Sequence, residues 1–294
     1  MHKLYPFADH YFDLDGLRYH YWDEGQGAPV VMLHGNPTWC FYYRKLVSAL
    51  SPTYRCLVPD HIGCGLSDKP GESRYNYTLS RRVEDLERWL DHLGITENIT
   101  LIVHDWGGMI GMTYATRHPE RIKRLVVLNT AGFHLPKTKK FPWLLWLAGK
   151  SPVSEFLVRG LNAFCIGAAF TSTTRRPLPS NVRRAYLAPY DSWANRIAVH
   201  RFVQDIPLTP ADPAYTTVSE TEARLPLLQH KPLMICWGMQ DFIFDKHFLA
   251  QWRQRFPKAE VHTFPDAGHY LLEDAGEEVA NLIKEFAGSA ERMA

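Results

Sequence analysis

The sequence predicts an α/β fold: a mostly parallel central sheet with helices on both faces, interrupted by a helical insertion. Two observations carry this. Short strand-like runs at 29–33, 55–59, 99–103, 125–128, 232–237 and 260–264, several of them apolar, alternate with stretches in which charged and apolar residues recur at helical spacing. Between residues 132 and 229 that rhythm breaks: strand signals vanish, and aromatics, prolines and arginines dominate.

Taken in order, residues 11–23 alternate loosely about Asp15-Gly16 and predict an opening hairpin. The buried strand at 29–33 is ended by His34-Gly35-Asn36-Pro37, and 39–50 reads as a helix. The strand at 55–59 closes on Asp60-His61-Ile62-Gly63-Cys64-Gly65, and 78–92 has helical spacing. The run 99–103 leads into Val103-His104-Asp105-Trp106-Gly107-Gly108, after which 109–117 is small, apolar and helical. A strand at 125–128 precedes the insertion; strands at 232–237 and 260–264 and a helix at 278–286 follow it. The expected division is a core (1–131), a helical cap (132–229) and the rest of the core (230–294). The break falls just past a strand's C-terminal end, which sets the insertion over the active edge of the sheet.

Composition narrows the function classes. Thirty-three basic against 31 acidic residues leave a net charge of +2, no electrostatic footprint for nucleic acid. Five cysteines, widely spaced and without a CxxC pair, read as reduced buried thiols and not as a disulfide frame or zinc site. Residues 1–6 lack the apolar core of a signal peptide, and no apolar run approaches a membrane span. The most apolar piece, 141–148 with Trp143 and Trp146, is too short and has lysines on both sides. The expectation is a cytoplasmic enzyme with a small apolar substrate and no metal or organic cofactor.

The chemistry centres on residue 105. Strand, abrupt turn and helix form the context of a nucleophile elbow, and Gly107 and Gly108 permit close packing where a Cβ would clash. Asp105 stands where serine esterases of this pattern carry serine. A carboxylate attacking an ester carbonyl makes a mixed anhydride that collapses back. Attacking a saturated carbon with a leaving group, it makes an ordinary ester. Asp105 therefore points to sp3 carbon: a carbon–halogen bond, an epoxide or a strained lactone. The competing reading is a helix-capping Asp before a glycine pair.

Two further pieces follow in the order nucleophile, acid, base. Asp241 in Trp237-Gly238-Met239-Gln240-Asp241 lies just past a strand, and His269 in Asp266-Ala267-Gly268-His269-Tyr270 lies in a loop after the last one. No carboxylate follows the strand at 125–128, where Asn129-Thr130-Ala131 stands, so Asp241 takes the orienting role. Asp245 and Asp266 read as a helix cap and a turn residue. Asn36 and Trp106 are the expected oxyanion or leaving-group donors, through their backbone N–H groups and a side-chain N–H each.

These motifs, together with Gly65-Leu66-Ser67-Asp68 and Thr38-Trp39, resemble the haloalkane dehalogenase branch of the α/β-hydrolases. The insertion is similar to that of the β-lactone decarboxylases of bacterial long-chain olefin biosynthesis. The segments that carry this second likeness are Leu128-Asn129-Thr130-Ala131 with Phe133 and Pro136, Val182-Arg183-Arg184-Ala185-Tyr186, Pro189-Tyr190, Ser192-Trp193-Ala194-Asn195-Arg196 and Gln204-Asp205-Ile206-Pro207-Leu208. The resemblance implies an α/β-hydrolase fold and conversion of cis-3,4-dialkyl-β-lactones to cis-alkenes and carbon dioxide, with Asp105 as nucleophile. It also implies association with the β-lactone synthetase of the same pathway. A haloalkane dehalogenase using the same residues is the alternative.

Other readings fit less well. An epoxide hydrolase needs two cap tyrosines, from Tyr186, Tyr190 and Tyr215, but His-Gly-Asn-Pro in place of a His-Gly-Phe-Pro type loop argues against it. Fluoroacetate dehalogenases carry arginine where Trp106 sits. A binding protein without activity is disfavoured by the intact Asp105, Asp241 and His269. Arg159 and Arg196 are expected in solvent or bridged to Glu155 and Asp191. Trp193 and Phe164 are expected to pack the insertion onto the core more than to touch substrate, two roles that are compatible in a pocket wall. His34 and His104 read as structural neighbours, and His134 has no identifiable partner.

Overall fold

In a computed structural model describing residues 4–289, the predicted architecture is present. The opening hairpin is β1 (His10–Asp13) and β2 (Arg18–Glu24), turned by Asp15 and Gly16, both at positive φ. Then come β3 (Pro29–Leu33), a 3-10 turn (Cys40–Tyr43) running into α1 (Arg44–Leu50), β4 (Arg55–Pro59) and α2 (Leu79–His92). Thr78 caps α2 by accepting from the Arg81 N–H. β5 (Ile99–Asp105), α3 (Trp106–Arg117) and β6 (Ile122–Thr130) complete the first half of the core.

Helices then replace strands: α4 (Trp143–Gly149), a π-helical turn (Phe156–Gly160), α5 (Ala163–Thr171), α6 (Ser180–Leu187), α7 (Ile197–Gln204) and α8 (Tyr215–Arg224). The chain returns to the sheet as β7 (Leu233–Gly238), α9 (Lys246–Arg255), β8 (Glu260–Phe264), α10 (Leu271–Asp274) and α11 (Gly276–Ser289).

The eight strands form one sheet in the order β1-β2-β4-β3-β5-β6-β7-β8. Only the pairings of β2 are antiparallel; all others are parallel. β5 is buried at every residue, as a central parallel strand covered on both faces must be. The strand ends of β3, β5, β6 and β7 therefore lie side by side at one edge, where the loops bearing residues 34–37, 105–106, 129–131 and 239–245 emerge.

β6 starts three residues earlier than its apolar run suggests. The obstacle was Arg124, a charge in a strand. It is buried, and its guanidinium donates to the Ala287 carbonyl on α11, 163 residues away. A local pattern cannot register such a long-range partner.

Candidate active site

Asp105 ends β5 with φ 51° and ψ −126°, a conformation L-residues rarely adopt. Its surroundings impose this bend. A Cβ at Gly107 would run into the Leu33 carbonyl, and one at Gly108 into the Thr130 side chain. Thr130 Oγ1 donates to the Asp105 carbonyl and pins the bend from β6. Thr130 went unassigned at the sequence level; its place at the end of the strand beside the elbow was the available signal.

The Asp105 carboxylate is buried. Its Oδ1 accepts from the Asn36 backbone N–H at 2.6 Å, and the Trp106 backbone N–H also favours the charged carboxylate. Gly35 leaves the room: a Cβ there would land on the carboxylate itself. Burial pushes the Asp105 pKa up, against the pull of His269 and these two N–H groups. The 3.6 Å link to His269 Nε2 is no salt lock, because the carboxylate also lines a cavity.

His269 Nδ1 lies 2.7 Å from Asp241 Oδ2, and Asp241 Oδ1 accepts from the N–H groups of Ile243 (2.8 Å) and Phe244 (3.1 Å). Asp241 thus has a fixed orientation and sets the imidazole so that Nε2 faces Asp105. Burial disfavours the charged His269, but Asp241 and then Asp105 outweigh it and raise its pKa above the ordinary value. His104 and His34, also buried, are shifted the opposite way. His104 Nε2 bonds the His269 carbonyl at 2.9 Å, and His34 accepts from the His61 N–H through Nε2. Both are structural neighbours, as expected. Replacing Asp241 with Asn should drop the His269 pKa, since burial then loses its main opponent. An NMR titration of His269 would read that fall.

Asn129 lies at the end of β6, where the sequence offers no carboxylate. Its amide spans to β7, donating to the Gly238 carbonyl at 3.0 Å and accepting from the Gly238 N–H at 2.7 Å. It braces the loop that presents Asp241.

Several expectations need correction. Asn36 has one side-chain amide proton left for the pocket it lines, because the other goes to the Val199 carbonyl on α7 at 3.1 Å. Arg196 does not reach Asp191. It is buried and clasps the carbonyls of Tyr190, Arg159 and Gly160, because a long planar donor can close three chain turns at once. Arg159 does pair with Glu155. Trp193 is 46% exposed beneath the Arg159 guanidinium and does not pack on the core, and Phe164 lines the pocket. His134 has a partner, Ser219 Oγ at 2.7 Å. Asp245 caps α9, and Asp266 bridges to Arg175.

Two apolar cavities diverge from this centre. One is lined by Asp105, Trp106, Met109, Phe133, Val203 and Phe244 among others. The other runs past His269 and Pro37 toward Leu144, Leu157 and Phe242. Asn36, Leu145, Phe164 and Ile243 belong to both walls and mark the junction. The cap tyrosines are turned away from both: Tyr186 donates to Glu273 and Tyr190 to the Thr38 carbonyl. No pair of tyrosines is aimed at an epoxide oxygen.

Among the described residues, His20, Cys40 and Asp60 alone bring three possible metal-ligand atoms within 4.8 Å of one another. Their bonds are already spent: Asp60 accepts from His20 Nδ1, the Cys40 N–H and the Leu66 N–H, and His20 Nε2 meets Asp9. This knot shapes the loop after β4.

Residues 28–276 match the model of a family described as having the alpha/beta hydrolase fold. The chain is similar to the cis-3-alkyl-4-alkyloxetan-2-one decarboxylase of Shewanella oneidensis: 57% identical over 99% of this chain and 92% of that one. It is similar to the protein of the same name from Xanthomonas campestris pv. campestris, at 51% over 92% of each. Among solved structures, the haloalkane dehalogenase DatA of Agrobacterium tumefaciens superposes with a TM-score of 0.84 at 25% identity, covering 98% of this chain and 97% of that one.

Proposed function

The chain belongs to the α/β-hydrolase family, and from that membership we propose that it is a β-lactone decarboxylase, converting cis-3,4-dialkyl-oxetan-2-ones to cis-alkenes and carbon dioxide. The observation that carries this is the junction: a poised carboxylate where two apolar cavities part. A four-membered ring bearing two alkyl chains fits that shape; a simple haloalkane uses one arm. Residues 132–229 act as the cap that builds both arms.

The chemistry closes without water. An Asp105 oxygen attacks the saturated ring carbon bonded to the ring oxygen, not the carbonyl carbon. The strained C–O bond breaks, and its electron pair stays on the departing oxygen as a carboxylate. Backside attack sets the new Asp105–carbon bond antiperiplanar to that carboxylate. Its C–C bond then supplies the electrons of the C=C bond, carbon dioxide leaves, and the Asp105–carbon bond breaks to restore the aspartate. Inversion followed by anti elimination keeps both alkyl groups on one side, so a cis-lactone gives a cis-alkene. Asn36 and Trp106, which line the cavity beside Asp105, supply the N–H donors for the developing carboxylate. His269, oriented by Asp241, activates water to clear any ester that fails to eliminate.

That last pair supports a second reading. Haloalkane dehalogenation needs water activation at every turnover, and the Asp241–His269 arrangement is complete for it. Incubation with a synthetic cis-dialkyl β-lactone and, separately, with 1,2-dibromoethane decides. The expected result is alkene from the first without bromide from the second; bromide without alkene overturns the decarboxylase reading. Hydrolytic side product, a β-hydroxy acid, should fall off as pH drops through the raised His269 pKa, because the base must be neutral, while alkene formation persists below that point.

We further place the protein in the cytoplasm, on its five buried, unpaired cysteines, and expect its substrate from the β-lactone synthetase of the same pathway. Among the described residues no helix is long and apolar enough to cross a membrane.

A further inference from the structure

Twelve large apolar side chains are well exposed among the described residues, and nine of them lie between positions 143 and 193. Trp143 is 70% exposed, Phe156 59% and Phe170 58%. Scattered exposed apolar residues need no explanation; a concentration of them on one segment does.

Several of these residues belong to elements that also line the second cavity. α4, the π-helical turn and α5 each turn one side into the second cavity, through Leu144 and Leu147, Leu157, and Gly167 and Thr171. Their other sides carry Trp143 and Trp146, Phe156, and Ile166 and Phe170 to the surface. Phe242, from the core, is half exposed and lines the same cavity. Apolar side chains of these elements thus run from the cavity wall to the surface.

Charge on this segment is one-sided. Residues 137–184 hold nine lysines and arginines and a single acid, Glu155, in a chain whose net charge is only +2. Glu155 is neutralised by Arg159. Lys137, Lys140, Arg176, Arg183 and Arg184 form no ion pair among the described residues, and Lys137 and Lys140 immediately precede the exposed start of α4. Arg183 lies over the Phe170 ring at 4.2 Å, so cation and aromatic share one patch.

We propose that this face of the helical segment docks on an anionic lipid bilayer, with Trp143, Trp146, Phe156 and Phe170 entering the interface and the unpaired cations meeting lipid phosphates. Tryptophan and phenylalanine flanked by Lys and Arg have the composition of an interfacial element, and the short helices lie on the surface instead of crossing it. The docked orientation opens the second cavity to the acyl region, from which a water-insoluble two-chain molecule can slide in. The binding surface stands on the exposed residues alone; its use in substrate uptake rests on the decarboxylase reading.

The test is co-sedimentation of the full chain with vesicles of phosphatidylcholine alone or mixed equally with phosphatidylglycerol. Binding to the anionic vesicles should be strong at low salt and fall as salt rises. Trp143→Ser/Trp146→Ser/Phe170→Ser should weaken it at least about tenfold, as should Lys137→Glu/Lys140→Glu, while turnover of a short-chain lactone in detergent-free buffer stays unchanged. Failure to bind anionic vesicles at low salt overturns the proposal, as does wild-type binding by both variants. A dimer that the triple variant dissolves also overturns it, by assigning the face to a second copy. Alkene production with no vesicle binding defeats this inference and leaves the proposed reaction standing.

Discussion

Asp105→Asn should lower alkene formation at least about a thousandfold while leaving the melting temperature no lower than wild type. The two halves have separate causes. An amide oxygen cannot displace a carboxylate from saturated carbon, so the covalent step is lost and no other buried group offers a replacement. The fold loses nothing. Asn tolerates the positive φ of 51° better than most residues, and its Oδ1 can still accept from Asn36. The Asp105 pKa is raised in the folded state by burial, which means the charged carboxylate weakens folding once the pH exceeds that value. At neutral pH a neutral amide removes that cost. Steady-state kinetics and a thermal melt on the same preparation check both halves. Residual alkene above a few per cent would move the nucleophile elsewhere.

Gly35→Ala should be nearly as damaging to turnover, by a different route. The added methyl would occupy the position of the Asp105 carboxylate. Either the carboxylate swings out of reach of the Asn36 N–H or the loop after β3 shifts and takes that N–H with it. Displacements of about 1 Å at a reacting centre cost on the order of a hundredfold, and that is the expected loss in kcat. Overpacking should also cost about 1–3 kcal/mol of stability, visible in a denaturant melt. An unchanged kcat would mean that the carboxylate is not used in the position described.

The core was legible in the sequence because its signals are local. A fully apolar strand, a bend at Asp105 and two glycines are written within ten residues, and the strand ends place Asp241 and His269 beside it without further information. β8 and β4 fall where the sequence places strands, at 260–264 and 55–59. What escaped the sequence depends on partners far along the chain. The Asn36 amide is taken by a carbonyl 163 residues later, Arg196 is spent on backbone carbonyls, and Arg124 is neutralised by a helix terminus. Trp193 reads as core material from its type alone, yet it is half exposed with the Arg159 guanidinium over its ring. The branching of the cavity arises from helices packed without strand register, where side-chain periodicity says which residues are inside but not what space they leave.

The most direct test is to stop the reaction between its two bonds. Acid quenching of a single turnover protonates the freed carboxylate and blocks loss of carbon dioxide. Peptide mass spectrometry should then find the whole lactone added to the peptide containing Asp105, as an ester that survives neutral hydroxylamine. An adduct that hydroxylamine discharges at once as a hydroxamate would show attack at the carbonyl, and turnover with no adduct at all would show that Asp105 never bonds to carbon.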